Sequence, residues 1–392
     1  MLANENRNER IISLDQLRGF ALLTIFLVNL NQLGGIQRDT MFWTYKSFTL
    51  SDRIFEIVNI IFANSSRPLF AFMFGITMVI MYDRAIERQK NAYSILFRRM
   101  LILLLVGAMH HIWIWQGDIL FMYAMDGLIL LLFVSMSAWP LFLFGLLAIC
   151  LYQPAPFFVY LDGQGGPIDL SQYFLLLPGR NPFISNVLNG LNLSFPYQFS
   201  QATQHLSFFL FGMAAYRAKL FHLKHGIITG VLGVILLITG IWTKYQLNTN
   251  IDFPFLNQTI FWHFSVSLGL VFLFLYLSNS TRFSRFTQPF EWVGKISLTH
   301  YLMQSIVFSS IFISASFSLL GKLAFVHPVP FVVLLPIGLA FFALQMWVGK
   351  LWLQHFYYGP FEWIWRAGTY WTIPPMRRHP VEVNRTVRET LS

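Results

Sequence analysis

The sequence predicts an all-α fold: a polytopic membrane helix bundle of about ten spans, with both termini in the cytoplasm. Hydrophobic residues make up 56% of the 392 residues and charged residues only 11%, whereas about a quarter of a soluble chain is charged. The apolar residues are concentrated in runs that approach the roughly 20 residues needed to cross a bilayer. The 27 Lys and Arg residues lie mostly between these runs. A water-soluble globule is therefore excluded, and we expect a single transmembrane domain over 1–392.

Ten apolar runs are predicted to form the spanning helices. The first run carries Asp15 and Arg18 at its start, and no small-residue cleavage site follows it. We therefore expect a retained first span rather than a signal peptide. The third and fourth runs are separated only around Gly117. In chain order, the predicted spans are 14–33, 54–82, 99–116, 118–135, 139–156, 204–217, 226–244, 259–278, 296–318 and 329–349.

The distribution of basic residues predicts the orientation of the bundle. With both termini inside, the cytoplasmic connections are 83–98, 218–225, 279–295 and the tail after Lys350. They hold Arg84, Arg88, Lys90, Arg98, Lys219, Lys224, Arg282, Arg285, Lys295, Lys350, Arg377, Arg378, Arg385 and Arg388. The outer connections hold only Arg38, Lys46, Arg53, Arg180, Lys244 and Lys322. This bias obeys the positive-inside rule, so we attribute the net charge of +10 to topology and expect no nucleic-acid partner.

Two segments outside the predicted spans are distinctive. The segment 157–203 is rich in Gly, Pro and Asn and forms the longest predicted outer loop; a loop of that length is either a lid or binding element or a plain surface loop. The segment 351–392 begins with a Trp-rich stretch, GPFEWIWRAGTYW. Such a stretch suits a helix in the headgroup region, followed here by a cytoplasmic tail.

Several classes of protein lack their sequence signals. The single cysteine, Cys150, excludes an internal disulfide framework and every multi-cysteine metal site. The sequence contains no phosphate-binding Gly-rich loop, no dinucleotide fingerprint, no His-Glu-x-x-His and no Gly-x-Ser-x-Gly. We therefore expect no metal and no nucleotide-hydrolysing domain within this chain.

The first predicted helix carries a polar stripe. Asp15, Arg18 and Asn29 fall within roughly 60° of one another on a helix that turns about 100° per residue. Ionisable groups in the hydrocarbon cost at least a few kcal/mol and usually face the bundle interior. Arg18 and Asn29 could bind an anionic or carbonyl group of a ligand. Alternatively, Asp15 and Arg18 form a pair that orients the helix at the interface.

The third predicted helix carries two adjacent histidines. Counting from Arg99 at about 1.5 Å per residue, His110 lies roughly 16 Å into the membrane. His111 points about 100° away, so only one of the two can face a given pocket. A histidine is the natural general base near neutral pH, and a neighbouring acid fixes its tautomer. Asp118 is the candidate acid, but a continuous helix would place it about 12 Å away, so a break at Gly117 is needed. The alternative is a histidine that only hydrogen-bonds between helices.

The second predicted helix contains Asn64, Arg67 and Pro68 near its midpoint. A proline there kinks the helix, and irregular backbone at that depth survives only inside protein or beside a cavity. We therefore expect a central cavity that contains a cation.

The ninth predicted helix has four polar residues within about 100° of one another in its cytoplasmic half. They are Ser297, His300, Tyr301 and Gln304. This face is either a second wall of the polar pocket or a set of hydrogen bonds between helices.

The same residues lie in blocks that resemble the YeiB-like family of bacterial inner-membrane proteins. The blocks run along the whole chain: LDQLRGFALLTIFLVNL at 14–30, LFAFMFGITM at 69–78, RRMLILLLVGAMHHIWIWQGDILFMYAMDGLILLLF at 98–133, FFLFGMAAYR at 208–217, GKISLTHYLMQSI at 294–306 and GPFEWIWR at 359–366. Within the third block, the resemblance covers His110, Trp115, Gly117 and Asp118. The resemblance implies a multi-pass protein of the bacterial inner membrane.

The start of the chain is also similar to the transmembrane acyltransferases that include heparan-alpha-glucosaminide N-acetyltransferase. That similarity covers Asp15, Arg18, Gly19 and Asn29. In that group, an acyl group is taken from acyl-CoA on the cytoplasmic side and delivered to a sugar on the far side. This sequence has no His in the loop 34–53, where the N-acetyltransferase branch carries its functional histidine. It also has His300 where YeiB-like sequences usually show Asn.

The leading hypothesis is a membrane acyltransferase that moves an acyl group from a cytoplasmic acyl-CoA donor to a cell-envelope glycan or lipid. His110 deprotonates the acceptor hydroxyl, and Asp118 orients it or hydrogen-bonds on the acceptor side. The donor or its carbonyl is held by Arg18, Arg67 and Asn29, and the wider set of candidate binding residues adds Asp15, His300 and Gln304. The alternatives are a transporter or exporter lined by the same residues, and a non-catalytic membrane partner or sensor. The sequence is compatible with a homo-oligomer.

Overall fold

A computed structural model describes residues 2–34, 49–115, 117–152, 195–220, 226–249, 260–280, 282–312 and 329–378. Within these ranges the fold is all-α, as predicted, with no β-strand and one isolated bridge between Phe356 and Arg377. The helices are α1 (Leu2–Leu33), α2 (Leu50–Phe62), α3 (Ser66–Glu87), α4 (Ala92–Trp113), α5 (Leu120–Leu130), α6 (Ala138–Tyr152), α7 (Phe195–Arg217), α8 (Ile227–Thr249), α9 (Ile260–Asn279), α10 (Ser284–Lys295), α11 (Ser297–Phe312), α12 (Phe331–His355) and α13 (Pro360–Tyr370).

Six helical stretches of the described chain are long and apolar enough to cross a membrane. They are Ser13–Leu33, Leu50–Glu87, Ala92–Trp113, Ile227–Gln246, Trp262–Asn279 and Phe331–His355. Two shorter apolar helices, Leu120–Leu130 and Ala138–Leu151, accompany them. Many of their large apolar side chains remain exposed, including Leu105 and Ile228, as expected of surfaces that face lipid rather than water. The chain is a multi-pass membrane protein.

Helix α1 lies at the centre of the bundle, because it packs against α2, α3, α9, α10, α11 and α12. Its crossing with α10 is very close. A Cβ atom at Gly19 would lie 2.0 Å from the carbonyl oxygen of Phe290, and one at Gly294 would lie 1.8 Å from the carbonyl oxygen of Asp15. Both positions therefore require glycine. Small residues allow close packing of helices in a membrane, where the hydrophobic effect does not drive helix association.

The predicted second span, 54–82, is two helices rather than one kinked helix. Helix α2 ends at Phe62, and Asn64 adopts a left-handed backbone with φ 58°. Helix α3 then begins at Ser66, which places Pro68 in its first turn. Proline is tolerated in a first turn, where its missing N–H has no helical partner, so the break precedes the proline.

Three further sequence-based assignments change. Lys244, counted in an outer connection, lies inside α8, where Nζ donates to the Ala63 carbonyl at 2.8 Å. The bias of basic residues toward the predicted inside remains. Part of the predicted connection 279–295 is helix α10, whereas the Trp-rich stretch forms the short helix α13 as expected. Residues 195–203 of the predicted loop 157–203 lie in helix α7, which begins at Phe195. The loop up to residue 194 and the tail from residue 379 lie outside the described residues.

Candidate functional site

His110 and Asp118 form a buried pair. Helix α4 ends at Trp113 and α5 begins at Leu120, so the helix break required near Gly117 is present. The reversal of the chain brings Nδ1 of His110 to 2.8 Å from Oδ1 of Asp118, and both side chains are fully buried. The contact depends on the break, because an unbroken helix would hold the residues about 12 Å apart.

Asp118 is held from three directions. Its Oδ2 accepts the backbone N–H of Phe121 at 2.8 Å, in the first turn of α5. Its Oδ1 accepts the hydroxyl of Tyr301, from α11, at 3.3 Å. The same hydroxyl accepts the backbone N–H of Ile119 at 3.3 Å. A buried carboxylate is tolerated when it is paired and hydrogen-bonded in this way.

The pairing determines which nitrogen of His110 is available. An ionised Asp118 can only accept, so the proton lies on Nδ1 and the lone pair lies on Nε2. Nε2 is buried and has no hydrogen-bond partner among the described residues. The neighbouring His111 is only half-buried. Nε2 of His111 is likewise buried and without a partner among the described residues, so His110 differs from His111 in its pairing with Asp118 through Nδ1.

A cavity of about 500 Å³ lies near this pair, but His110 and Asp118 are not themselves among its described lining residues. Its described lining includes Tyr301, which reaches Asp118, together with Ile119 and Tyr123. The charge of the lining is strongly unbalanced. Two carboxylates, Asp15 and Glu362, face eight cations: Arg18, Arg84, Arg88, Lys90, Arg99, Lys295, Arg366 and Arg378. Such a concave, one-sign surface concentrates anions.

Arg18 is held in a defined position on the wall of this cavity. Its Nη1 donates to Oδ1 of Asp15 at 2.8 Å, and its Nη2 donates to the Thr77 hydroxyl of α3 at 3.0 Å. The sequence left open whether Asp15 and Arg18 form a pair or bind a ligand. They form the pair, and both also line the cavity.

Helix α13 closes one side of the cavity. Trp365 donates through Nε1 to the carbonyl oxygen of Arg99 at 2.9 Å, and the guanidinium of Arg99 lies 3.4 Å from the Trp365 ring centroid. Glu362 accepts the backbone N–H of Thr299, in the first turn of α11, at 2.9 Å. Burial raises the pKa of the Glu362 carboxyl, although the hydrogen bonds from Thr299 act in the opposite direction.

A second cavity of about 80 Å³ contains two more of the predicted binding residues. Asn29 and Arg67 line it and do not line the larger cavity. The structure therefore separates Arg18 from the two residues with which the sequence grouped it. Ile25 and Ile119 contribute to the walls of both cavities.

His300 and Gln304 lie away from both cavities as described. Nε2 of Gln304 donates to Oε1 of Gln345 on α12 at 2.9 Å. Gln345 in turn donates to the carbonyl oxygen of His300 at 3.0 Å. These contacts match the interpretation as hydrogen bonds between helices for His300 and Gln304, whereas Ser297 and Tyr301 of the same face line the larger cavity.

Sequence reasoning missed a second buried His–Asp pair. Nδ1 of His205, on α7, lies 3.2 Å from Oδ2 of Asp126, on α5, and both side chains are 4% exposed. The pair lies beside Tyr123, whose ring centroid is 5.3 Å from that of His205. Asp126 is an acid within a predicted span and could have been singled out by that signal. The partnership with His205 depends on packing between helices, which no local pattern encodes.

Comparisons with known proteins identify relatives along the whole chain. A family model described as a protein of unknown function, DUF418, matches residues 213–372. The chain is 31% identical to the uncharacterized protein YxaH of Bacillus subtilis, over 95% of this chain and 97% of that protein. It is 27% identical to an uncharacterized 39.9 kDa protein of Bacillus acidopullulyticus, over 93% and 94% of the two chains. It is 26% identical to the uncharacterized protein YeiB of Escherichia coli, over 92% and 96%.

Proposed function

The chain belongs to the YeiB-like family that the DUF418 model represents, and from that premise we propose that it is a membrane acyltransferase. It takes an acyl group from acyl-CoA and transfers it to a hydroxyl of a cell-envelope glycan or lipid. The observation that carries the proposal is the position of Tyr301. This residue lines the cationic cavity and hydrogen-bonds to the carboxylate that holds His110.

The larger cavity supports a donor of the acyl-CoA class. Coenzyme A carries several phosphates, and eight cations against two carboxylates make the cavity wall a receptor for polyanions. A volume of about 500 Å³ is within the range of small-molecule sites, roughly 300–1,000 Å³. Aromatic side chains such as Trp365 and Tyr370 also line it and offer surfaces on which an adenine ring can stack.

The buried pair supports the chemistry of transfer. Nε2 of His110 takes the proton of the acceptor hydroxyl as the oxygen attacks the acyl carbon, so the carbon–oxygen bond forms and the carbon–sulfur bond breaks. The proton then passes from Nε2 to the departing thiolate, which leaves as coenzyme A thiol. Asp118 stabilises the imidazolium through Nδ1, and Tyr301 positions Asp118. General-base help of this kind is worth about 10²–10⁴-fold in rate.

The proposed topology has ten spans with both termini in the cytoplasm of a bacterium, and places the protein in the inner membrane. Residues assigned by sequence to inside connections converge on the larger cavity, among them Arg84, Lys90, Lys295 and Arg378. The cavity then opens toward the side where acyl-CoA is present. The smaller cavity, with Asn29 and Arg67, lies toward the other face.

A transporter is the second candidate, favoured by one observation. Among the described lining residues, only Ile25 and Ile119 are common to the walls of both cavities, as expected where a narrow barrier separates two half-pathways. The same polar residues would then line a route for an unmodified solute.

Reconstituted protein distinguishes the two candidates. We expect acetyl-CoA or palmitoyl-CoA to bind to the protein in lipid nanodiscs, and Arg18→Gln to weaken that binding more than Arg53→Gln, because Arg53 is absent from the described lining of the cavity. A wild-type protein that neither binds nor consumes either acyl-CoA, yet moves a solute across sealed vesicles, would replace the enzyme with the transporter.

A further inference from the structure

The smaller cavity has a lining of unusual chemistry. Its described polar residues are amides, one hydroxyl and one guanidinium, with no carboxylate and no lysine: Asn29, Gln32, Asn59, Asn64, Ser66 and Arg67. A carboxamide offers both donors and an acceptor, and an alcohol hydroxyl does the same. The lining is therefore matched to neutral hydroxyl groups rather than to a metal ion or a polyanion.

Asn59 supplies independent evidence that this cavity suits a hydrogen-bond donor. Its side chain is 1% exposed, and Nδ2 donates to the carbonyl oxygen of Phe55 at 2.9 Å. That bond leaves Oδ1 as a buried acceptor with no hydrogen-bond partner in the described part of the chain. An unsatisfied buried acceptor destabilises the folded state. A hydroxyl in the cavity would satisfy it.

The backbone around the cavity is held in place from outside. The break between α2 and α3 carries Asn64 in its left-handed conformation, with φ 58°. Lys244 of α8 stabilises the backbone at this break, because Nζ donates to the Ala63 carbonyl at 2.8 Å and to the Ser65 hydroxyl at 3.3 Å. A lysine buried in a membrane helix is expensive. The two hydrogen bonds from Lys244 therefore fix the conformation of the backbone that lines the smaller cavity.

The size and exposure of the cavity limit what can enter. Its volume of about 80 Å³ equals the liquid volume of about three water molecules. This is enough for one hydroxymethyl group and too small for a whole sugar ring. Gln32, Asn64 and Arg67 are exposed at its rim. The rest of a ligand would therefore lie across these three side chains.

We infer that the smaller cavity binds the hydroxymethyl arm of a neutral saccharide, either a free sugar or the headgroup of a glycolipid. That this hydroxyl is the acyl acceptor rests on the proposed function; that the cavity binds it does not. The two sites are adjacent, because Ile119 borders both cavities and follows Asp118 in the chain.

Binding is tested without turnover, in phosphatidylcholine nanodiscs free of sugar-based detergent. Saturation-transfer NMR measures contact with methyl β-glucoside, and 1-propanol serves as the apolar alcohol control. We expect transfer to the glucoside and little to propanol. Asn29→Ala should weaken glucoside binding about tenfold, the effect of losing about 1.4 kcal/mol. Asn59→Leu should weaken it at least as much, and Asn29→Ala preserves the test if Asn59→Leu does not fold.

Two controls separate this inference from the proposed function. Gln354→Leu changes an exposed amide outside the described lining of either cavity and should leave glucoside binding unchanged. Acetyl-CoA binding, measured on the same samples, should survive in every variant. Wild-type protein that binds acetyl-CoA but not the glucoside, or variants that bind the glucoside normally, would overturn the inference alone. Glucoside binding without acetyl-CoA binding would overturn the proposed donor instead.

A final arm identifies the source of the saccharide. Nanodiscs doped with monoglucosyl-diacylglycerol should lose the methyl β-glucoside signal if the natural ligand is a membrane glycolipid. Retention of that signal would support a free sugar. Equal transfer to propanol and glucoside would show an unselective apolar pocket and contradict the inference.

Discussion

At the scale of single residues, the site depends on one hydrogen-bond chain. Tyr301 donates to Asp118, and Asp118 accepts from Nδ1 of His110, which leaves Nε2 as the free base. The three residues have different roles. Only His110 is proposed to contact reacting atoms, whereas Asp118 and Tyr301 act through it. Substitutions along the chain should therefore reduce turnover to different degrees.

We predict that Asp118→Asn lowers kcat for acyl transfer by about 10²–10⁴-fold, the usual contribution of general-base catalysis. A carboxamide loses the charge that stabilises the imidazolium. Tyr301→Phe should lower kcat less, because Asp118 keeps its bonds to His110 and to the N–H of Phe121. The KM for acyl-CoA should change little in Asp118→Asn. Equal kcat in Asp118→Asn and wild type would remove the pair from the mechanism.

Sequence reasoning was effective for residues that are conspicuous individually. His110 and Asp118 stand out because ionisable side chains are rare within apolar runs, and helix geometry even required the break between them. In the sequence, Arg84, Arg88 and Lys90 indicate only topology, because their convergence on a cavity depends on the packing of α13 and α10 against the bundle.

At the scale of helices, close crossings determine where the functional side chains lie. The crossing of α1 and α10 leaves no room for a side chain at Gly19 or Gly294, and it places Arg18 beside the larger cavity. The contact between Gly19 and Gly294 could not be predicted from the sequence, because the sequence predicts a connection, not a helix, over the residues of α10. The expectation of irregular backbone near Pro68 came within a few residues of the observed break at Asn64, because proline affects only the adjacent backbone.

We predict that Gly294→Ala destabilises the protein by about 1–3 kcal/mol, the usual cost of overpacking. The added methyl would lie 1.8 Å from a backbone carbonyl oxygen, which cannot move aside cheaply. The matched control is Gly226→Ala, because a Cβ there meets nothing within 4 Å. Thermal unfolding in nanodiscs compares the two variants. A melting temperature of Gly294→Ala as high as that of Gly226→Ala would contradict the crossing.

Helix α13 should hold more firmly to the bundle at low pH. Burial raises the pKa of Glu362 above its ordinary value of 4.5, so the folded state binds the proton more tightly than the unfolded state. The resulting stability is fully present below the unfolded pKa and is lost as pH rises through the folded pKa. Hydrogen exchange of the α13 amides, corrected for intrinsic rates, should show less protection at pH 8 than at pH 5. Glu362→Gln should abolish the difference, whereas a difference that persists in this variant would exclude Glu362 as its cause.

At the scale of the whole molecule, the proposed function requires a definite orientation in the membrane. The proposed acyl-CoA donor is made in the cytoplasm, so the cationic cavity must open toward that side. The composition of the chain predicted a membrane bundle directly, because 56% hydrophobic residues with only 11% charged residues is not the composition of a soluble domain. It could not predict two separate cavities, which arise from the break between α2 and α3 and from the docking of α13.

We predict that Arg88 faces the cytoplasm and Arg53 the outside, because the positive-inside rule places most non-spanning cations within. The exposed Cys150 is first replaced by alanine. A membrane-impermeant maleimide should then label Arg53→Cys in intact cells, and should label Arg88→Cys only after lysis. The reverse pattern would invert the topology and place the cationic cavity on the wrong side for acyl-CoA.

The decisive measurement is acyl transfer by His110→Ala. Inside-out membrane vesicles expose the cytoplasmic face and retain the envelope lipids and glycans, so radiolabelled acetyl-CoA and palmitoyl-CoA can be followed into the membrane fraction. We predict that wild-type protein transfers label, that His110→Ala binds acyl-CoA but transfers almost none, and that His111→Ala retains most of the activity because its ring lies outside the pair. His110→Ala with wild-type transfer would contradict the proposed mechanism.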